Sequence, residues 1–282
     1  MRVTVLLVWL LVTALPAAVL AGSARMELAL APDRVAEADY WPGAADMPAI
    51  LIRHGFLQTR EFPAVRRLAQ ALADEGFSVL TPTLSLGLNR RRQSLACEAV
   101  HTHTLQQDVD ELITWTRWLA GRAGKPPVVI GQGLGGIQVA AMLDARAIPV
   151  DRALLVDTNA FQGASASGIG HRAVPVLADD ADGIAMYQLG YCSRYASTEV
   201  ASRSYLTWDR GRLQHVLSTL EIPVTVISAS TDTGAAANWK VALETGGVEV
   251  RTIPGASHFL DLAHASELLD EVVMVITESD HG

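Results

Sequence analysis

Residues 128–143 read VVIGQGLGGIQVAAML, and this stretch decides the fold. Its first three residues are β-branched and follow Pro126-Pro127, which is typical of a fully buried central strand. A glycine-rich turn from Gly131 to Gly136 comes next, and a helix is predicted over Ile137–Arg146. A buried strand, a tight turn and a helix in this order form the repeating unit of parallel α/β sheets.

Short apolar runs alternate with helical periods on both sides of this stretch. The sequence predicts an α/β fold with a mostly parallel central sheet and helices on both faces. Thr104 and Gln107 resemble a capping box that opens a helix, and Pro82 is expected to stop a strand. The predicted strands are Ala49–Arg53, Phe77–Leu80, Ala153–Val156, Val224–Ile227 and Val248–Ile253, and the other predicted helices are Phe62–Ala73, Thr104–Leu119 and Ala263–Ile276.

The alternation is interrupted by an insertion at about residues 158–220. A structureless loop of that length is improbable in a compact domain, so we expect a cap with helices of its own. Its aromatic residues either pack inside the cap, which is the commoner explanation, or line a pocket for an apolar ligand. They are Tyr187, Tyr191, Tyr195, Tyr205 and Trp208.

Composition indicates a globular domain that does not bind nucleic acid. Of the 282 residues 50% are hydrophobic and 18% are charged, which provides enough apolar surface for a large core. The net charge of −8 offers no basic surface for phosphates. The only basic run, Arg90-Arg91-Arg92, is interpreted as a solvated loop face.

The first residues are typical of a secretory signal. Arg2 precedes an apolar run from Val3 to Ala21, and small residues then offer cleavage sites after Ala21 or Ala24. The sequence thus predicts a signal peptide over residues 1–24, a domain over residues 25–282, and export to the periplasm or the exterior. An uncleaved anchor is the alternative. In that case, this segment would be the protein's membrane contact.

Both cysteines, Cys97 and Cys192, lie in the predicted mature chain. An oxidising compartment would allow a disulfide between them, which would staple the loop near Cys97 to the cap. Two unrelated buried thiols are the alternative.

The glycine-rich turn and one upstream loop resemble the α/β-hydrolase fold superfamily. That superfamily carries its nucleophile as G-x-S-x-G on a sharp strand-to-helix turn, and the corresponding residues here are Gly131, Gln132, Gly133, Leu134 and Gly135. The resemblance makes Gly133 a degenerate nucleophile position. The loop at His54-Gly55-Phe56 resembles the family's His-Gly loop. By this resemblance the amides of Phe56 and Leu134 form the oxyanion hole, supported by His54, Gly55 and Gln132.

Two later loops match the family's remaining elements in chain order. Asp232 follows a predicted strand where the family carries its acid, and His258 lies in a loop resembling the one that bears the histidine. Asp157 is a second possible acid, since some members of the family place it there.

These motifs admit two other interpretations. Gly131, Gly133 and Gly136 also fit G-x-G-x-x-G, but the turn follows a central rather than a first strand, so no nucleotide cofactor is expected. His101 and His103 suggest metal binding. Without further ligands at suitable spacing they are interpreted as polar loop residues, and no metal is expected.

Gly133 has no atom with which to attack a carbonyl, so ordinary serine chemistry is not expected. Four alternatives remain: a pseudoenzyme whose pocket holds a small acyl or ester-type ligand, hydrolysis by water activated by His258 and Asp232, a relocated hydroxyl, and a purely structural or interaction role. The candidate hydroxyls are those of Thr158, Ser228 and Ser230.

Overall fold

A computed structural model of the chain describes residues 22–158, 183–229, 235–256 and 262–278. Most of the predicted signal segment and the side chains of Asp232, His258 and Ser230 therefore lie outside the described residues. Ala24 opens the first strand. No helix in these four ranges is both long and apolar enough to cross a membrane.

The described strands form a mixed eight-stranded sheet and a separate two-stranded hairpin. In the large sheet the order is β1-β2-β4-β3-β5-β6-β9-β10, with β1, β2 and β4 paired antiparallel and the other neighbours parallel. Its strands are β1 Ala24–Ala31, β2 Arg34–Trp41, β3 Ala49–Arg53, β4 Ser78–Thr83, β5 Val128–Gln132, β6 Ala153–Val156, β9 Val224–Ala229 and β10 Glu249–Ile253, and the hairpin comprises β7 Ile184–Leu189 and β8 Cys192–Thr198.

Helices cover both faces of the large sheet, as predicted. The helices are α1 Pro63–Asp74, α2 Leu105–Ala123, α3 Gly135–Asp144, α4 Glu199–Leu206, α5 Arg210–Thr219, α6 Ala235–Thr245 and α7 Ala265–Thr277. Buried residues of α1 and α7 pack on one face, and those of α2, α3, α5, α6 and the cap pack on the other.

Several boundaries differ from the sequence-based predictions. Strand β4 continues through Pro82, because β3 pairs with it only as far as Leu80 and a proline is tolerated where one side has no partner strand. Helix α3 begins two residues earlier than predicted, at Gly135. The capping box on Thr104 is confirmed. Strands β1 and β2 and helix α6 were not predicted.

The insertion between β6 and β9 carries helices α4 and α5, as expected, and also the β7–β8 hairpin. The predicted disulfide is confirmed, since Cys97 and Cys192 are bonded with their Cα atoms 5.6 Å apart. Backbone hydrogen bonds also link the hairpin to the loop of Cys97. The Ala196 amide donates to the Cys97 carbonyl at 3.1 Å, and the His101 amide donates to the Ala196 carbonyl at 2.8 Å. The hairpin is thus joined both covalently and by strand-like pairing to residues 97–101.

Replacing both cysteines with serine should lower the free energy of unfolding by about 2–4 kcal/mol, because the bond closes a long loop in the unfolded chain. Urea unfolding measures the loss, and the reduced wild-type protein is the matched control. Equal midpoints for the oxidised and reduced protein would show that the bond adds no stability.

Candidate active site

The turn between β5 and α3 has the geometry of a tight elbow. Gly133 adopts a left-handed backbone with φ of 53°, which glycine accepts without strain. Its amide donates to the Val156 carbonyl at 2.8 Å, and its carbonyl accepts from the Gly136 amide at 3.0 Å. The strand, turn and helix predicted around Gly133 are confirmed, while its role as a nucleophile position stays a prediction.

Three neighbouring glycines are required by close backbone packing. A Cβ atom on Gly131 would lie 2.5 Å from the Gly136 Cα, and one on Gly135 would lie 2.2 Å from the His54 carbonyl oxygen. On Gly136 it would lie 2.0 Å from the Thr158 hydroxyl. By contrast, apart from Gly133 and its two chain neighbours, no heavy atom of the described residues lies within 4 Å of a Cβ placed on Gly133. Of the four elbow glycines, only Gly133 has room for a side chain among the described residues.

The contact between Gly135 and the His54 carbonyl places the His-Gly loop beside the elbow. The loop carries Phe56, which is fully buried. Leu134 precedes the first residue of α3, and its amide donates to no acceptor in the described part of the chain. Such an N–H at a helix start favours a developing negative charge. The loop and elbow thus meet where an oxyanion hole is predicted.

His54 shapes this loop and carries no charge. Its ring is buried, Nδ1 lies 2.8 Å from the Gly55 carbonyl oxygen, and the same nitrogen contacts Arg53 Nη1. Burial, reinforced by the positive charge of Arg53, places the pKa of His54 well below its ordinary value. A neutral ring in this position supports the loop rather than transferring protons.

The strands that precede Asp232 and His258 end at the same edge of the sheet as the elbow. Strands β5, β6, β9 and β10 are adjacent and parallel, so their carboxyl ends lie side by side. Strand β9 ends at Ala229 and β10 at Ile253, just before the two predicted loops. The catalytic roles of Asp232 and His258 stay predictions.

The other candidate groups near the strand ends are largely buried. Asp157 has a left-handed backbone and donates its amide to the Ile227 carbonyl at 2.7 Å. The hydroxyls of Thr158 and Ser228 are buried and have no hydrogen-bond partner in the part of the chain that the structure describes. Thr158 lies over Gly136, so its side chain is held against the elbow.

A buried polar cluster beside the elbow was not predicted. Asp108 of α2 accepts from Tyr205 at 2.5 Å and from Gln138 at 2.5 Å, and its other oxygen lies 3.3 Å from His103 Nδ1. Burial raises the pKa of Asp108, but His103 and the hydroxyl of Tyr205 more than offset this, leaving the pKa lowered. The sequence feature that could have predicted this cluster is the position of Asp108 between Leu105 and Val109, on the apolar face of α2.

The interpretation of Arg90-Arg91-Arg92 as a solvated face was wrong for Arg91. Arg91 is 5% exposed, because its guanidinium donates to backbone carbonyls that need partners inside the protein. Two of them, Leu57 at 3.3 Å and Gln58 at 2.7 Å, follow directly after Phe56. Arg90 and Arg92 instead pair with Glu27 and Glu37. Arg91 thus ties its loop to the His-Gly loop.

The cap aromatics pack on the His-Gly loop. The ring of Phe56 lies 5.2 Å from that of Tyr205 and 5.7 Å from that of Tyr195, and the Tyr191 hydroxyl donates to the Phe56 carbonyl at 2.5 Å. Tyr187, Tyr195, Tyr205 and Trp208 are buried, as packing requires, whereas Tyr191 is 57% exposed.

His101 and His103 have structural contacts of their own. His101 stacks on Tyr195 with ring centroids 4.4 Å apart, and burial lowers its pKa to about 4. His103 contacts Asp108 and the Tyr205 hydroxyl. Within the described ranges no group of three or more His, Cys, Asp or Glu residues is placed to hold a metal ion.

The chain belongs to the alpha/beta hydrolase family, whose model matches residues 49–272. Curated proteins give no significant match. Solved structures share the fold at low identity. The thioesterase domain from the curacin biosynthetic pathway has a TM-score of 0.61 at 15% identity, covering 89% of this chain and 99% of that one. Est1E from Butyrivibrio proteoclasticus gives 0.62 at 14% identity, covering 91% and 99%. The esterase domain of a Rhodothermus marinus protein gives 0.58 at 16% identity, covering 90% and 96%.

The two glycines at positions 133 and 135 should respond differently to alanine. Gly133→Ala should cost about 1 kcal/mol of unfolding free energy, from the left-handed backbone alone. Gly135→Ala should cost about 3 kcal/mol or more, because its Cβ would force the elbow away from the His54 carbonyl. Urea unfolding of both variants measures the two losses of unfolding free energy. Equal losses would contradict the close packing of Gly135 against the His54 carbonyl.

Glu111 should make stability depend on pH. Burial raises its pKa to about 7, although Ser85 donates its amide and hydroxyl to the carboxylate. Between its ordinary value of 4.5 and about 7, the folded state holds a proton that the unfolded state releases. This contribution to stability therefore falls as pH rises through that window, by on the order of 3 kcal/mol in all.

Glu111→Gln retains the shape and removes the titration, so its stability relative to wild type should increase between about pH 5 and pH 8. Unfolding free energies at the two pH values measure this change. Asp110→Asn, at an exposed position on the same helix, is the matched control. A wild-type minus Glu111→Gln difference that is independent of pH would contradict the assignment.

Proposed function

We propose that this chain is an exported α/β-hydrolase-fold protein that holds a small acyl or ester-type ligand at the elbow without serine catalysis. Gly133 carries the proposal: it occupies the strand-to-helix turn where the family places its nucleophile, and it has no side chain. The apolar leader and the Cys97–Cys192 bond support export.

Without a serine hydroxyl at position 133, most of the catalytic rate of a serine hydrolase is lost. Loss of the serine from a complete triad lowers turnover by about 10⁶-fold, leaving about 10³-fold over water from binding and the oxyanion hole. That residual rate is too slow for an ordinary metabolic esterase. A protein with this elbow is better suited to bind an acyl group than to cleave it.

Hydrolysis by activated water is the second candidate. The described residues leave space at position 133, where a water molecule could replace the serine hydroxyl. His258 oriented by Asp232 would act as its general base, a contribution of about 10²-fold to 10⁴-fold that suits a reactive substrate. A relocated nucleophile is less well supported, because the hydroxyls of Thr158 and Ser228 are buried.

Gly133→Ser should restore ester hydrolysis if the rest of the site persists. We expect the rate with p-nitrophenyl acetate to rise by about 10²-fold or more over wild type, since a hydroxyl would then face the predicted histidine and oxyanion hole. Gly133→Ala is the matched control, with the same backbone strain and no hydroxyl. If the serine variant is no faster than the alanine variant, the intact-pocket proposal is wrong.

The wild-type protein distinguishes the candidates further. Ester hydrolysis that copurifies with the chain and disappears in His258→Ala would support activated water and contradict a pure binding role. Covalent labelling of wild type by a fluorophosphonate would instead identify a relocated nucleophile. Neither activity nor labelling is expected of a binding protein.

A further inference from the structure

Arg53 is a buried cation, and one edge of its guanidinium has no partner among the described residues. Its side chain has no exposed surface, and Nη1 donates to the His54 carbonyl at 2.5 Å. Among the described residues, Nε and Nη2 have no hydrogen-bond partner, and no carboxylate lies within 4.0 Å of the guanidinium. Burying a charge in this way destabilises the fold unless a partner compensates it.

The neighbouring acids are engaged elsewhere. Asp108 accepts from Tyr205 and Gln138, and Glu111 accepts from Ser85. Arg91 is also buried, yet its Nε, Nη1 and Nη2 all donate to backbone carbonyls. The unpaired edge of Arg53 is therefore not a general consequence of burying arginine in this protein.

Arg53 lies next to the elbow. It is the last residue of β3 and pairs in register with Gly131, and its Cγ atom is 3.2 Å from where a Cβ on Gly135 would lie. Burial lowers the pKa of Arg53 to about 10, and Asp108 and the cap residues Tyr205 and Tyr191 partly offset this effect by raising the pKa. The side chain is thus cationic at neutral pH and sits between the elbow and the cap.

We propose that Nε and Nη2 of Arg53 bind a carboxylate group of the ligand. These two nitrogens lie along one edge of the planar guanidinium, and such a donor pair matches the two oxygens of a carboxylate. The assignment rests on the proposed function, because it defines the acyl ligand of the elbow as one that carries a carboxylate. Since Arg53 has no exposed surface, a ligand can reach it only if the residues that cover it move apart.

The test uses sodium butyrate as the probe and butyramide as its uncharged counterpart. Titration of the full-length wild-type protein, followed by the ¹⁵N resonance of Arg53 Nε, should show a saturable shift with butyrate and none with butyramide. Calorimetry should show binding at least about tenfold weaker in Arg53→Met, which retains an unbranched chain of similar length. Arg53→Lys retains the positive charge but lacks the planar pair of N–H donors, so it should bind butyrate with intermediate affinity.

An Nε resonance that butyrate does not move, or equal binding by wild type and Arg53→Met, would overturn the proposal and leave Arg53 as a structural counter-charge. If Arg53→Met fails to fold, the response of the Arg53 Nε resonance in the wild-type protein still tests the proposal. Binding by wild type together with an inactive Gly133→Ser would refute the proposed acyl site while leaving the anion site standing. An active Gly133→Ser with no butyrate binding would refute only the Arg53 assignment.

Discussion

The elbow depends on the close approach of three glycines to their neighbours. Gly135 touches the His54 carbonyl, Gly131 touches Gly136, and Gly136 lies beneath Thr158, all at separations that exclude a Cβ atom. This packing holds α3 against the ends of β3 and β6 and places the His-Gly loop beside the elbow. Position 133 takes no part in it. The residues that shape the site are therefore separate from the residue that would carry the chemistry.

Buried polar contacts near the elbow join the cap to helix α2 and tie the loop of Arg91 to the His-Gly loop. Tyr205 of α4 reaches Asp108 of α2, and Arg91 donates to the carbonyl of Gln58 beyond the His-Gly loop. The disulfide adds a covalent link through the hairpin. The described part of the cap is therefore linked to α2 by buried hydrogen bonds and to residues 97–101 by the disulfide and backbone pairing.

The parts of this structure that could be predicted from sequence are those set by local chemistry. The glycine-rich turn, the capping box on Thr104 and the buried strands depend on neighbouring residues. Burial of Arg91 between Arg90 and Arg92 could not be predicted, because it depends on carbonyls more than thirty residues away. The same holds for the hairpin and for β1 and β2. In the candidate site, Gly133, Phe56 and Leu134 were placed by motif, whereas Arg53 looked like the end of an apolar strand.

Persistence of the elbow is not by itself a sign of ligand binding. A glycine at a left-handed position relieves the strain that a serine would carry there, so the fold tolerates this residue whether or not a ligand binds. The edge of Arg53 formed by Nε and Nη2 is different, because these buried donors have no partner among the described residues and so add nothing to the stability of the fold. Functional sites are where such local conflicts are retained. The argument for a ligand therefore depends more on Arg53 than on the glycine that replaces the nucleophile.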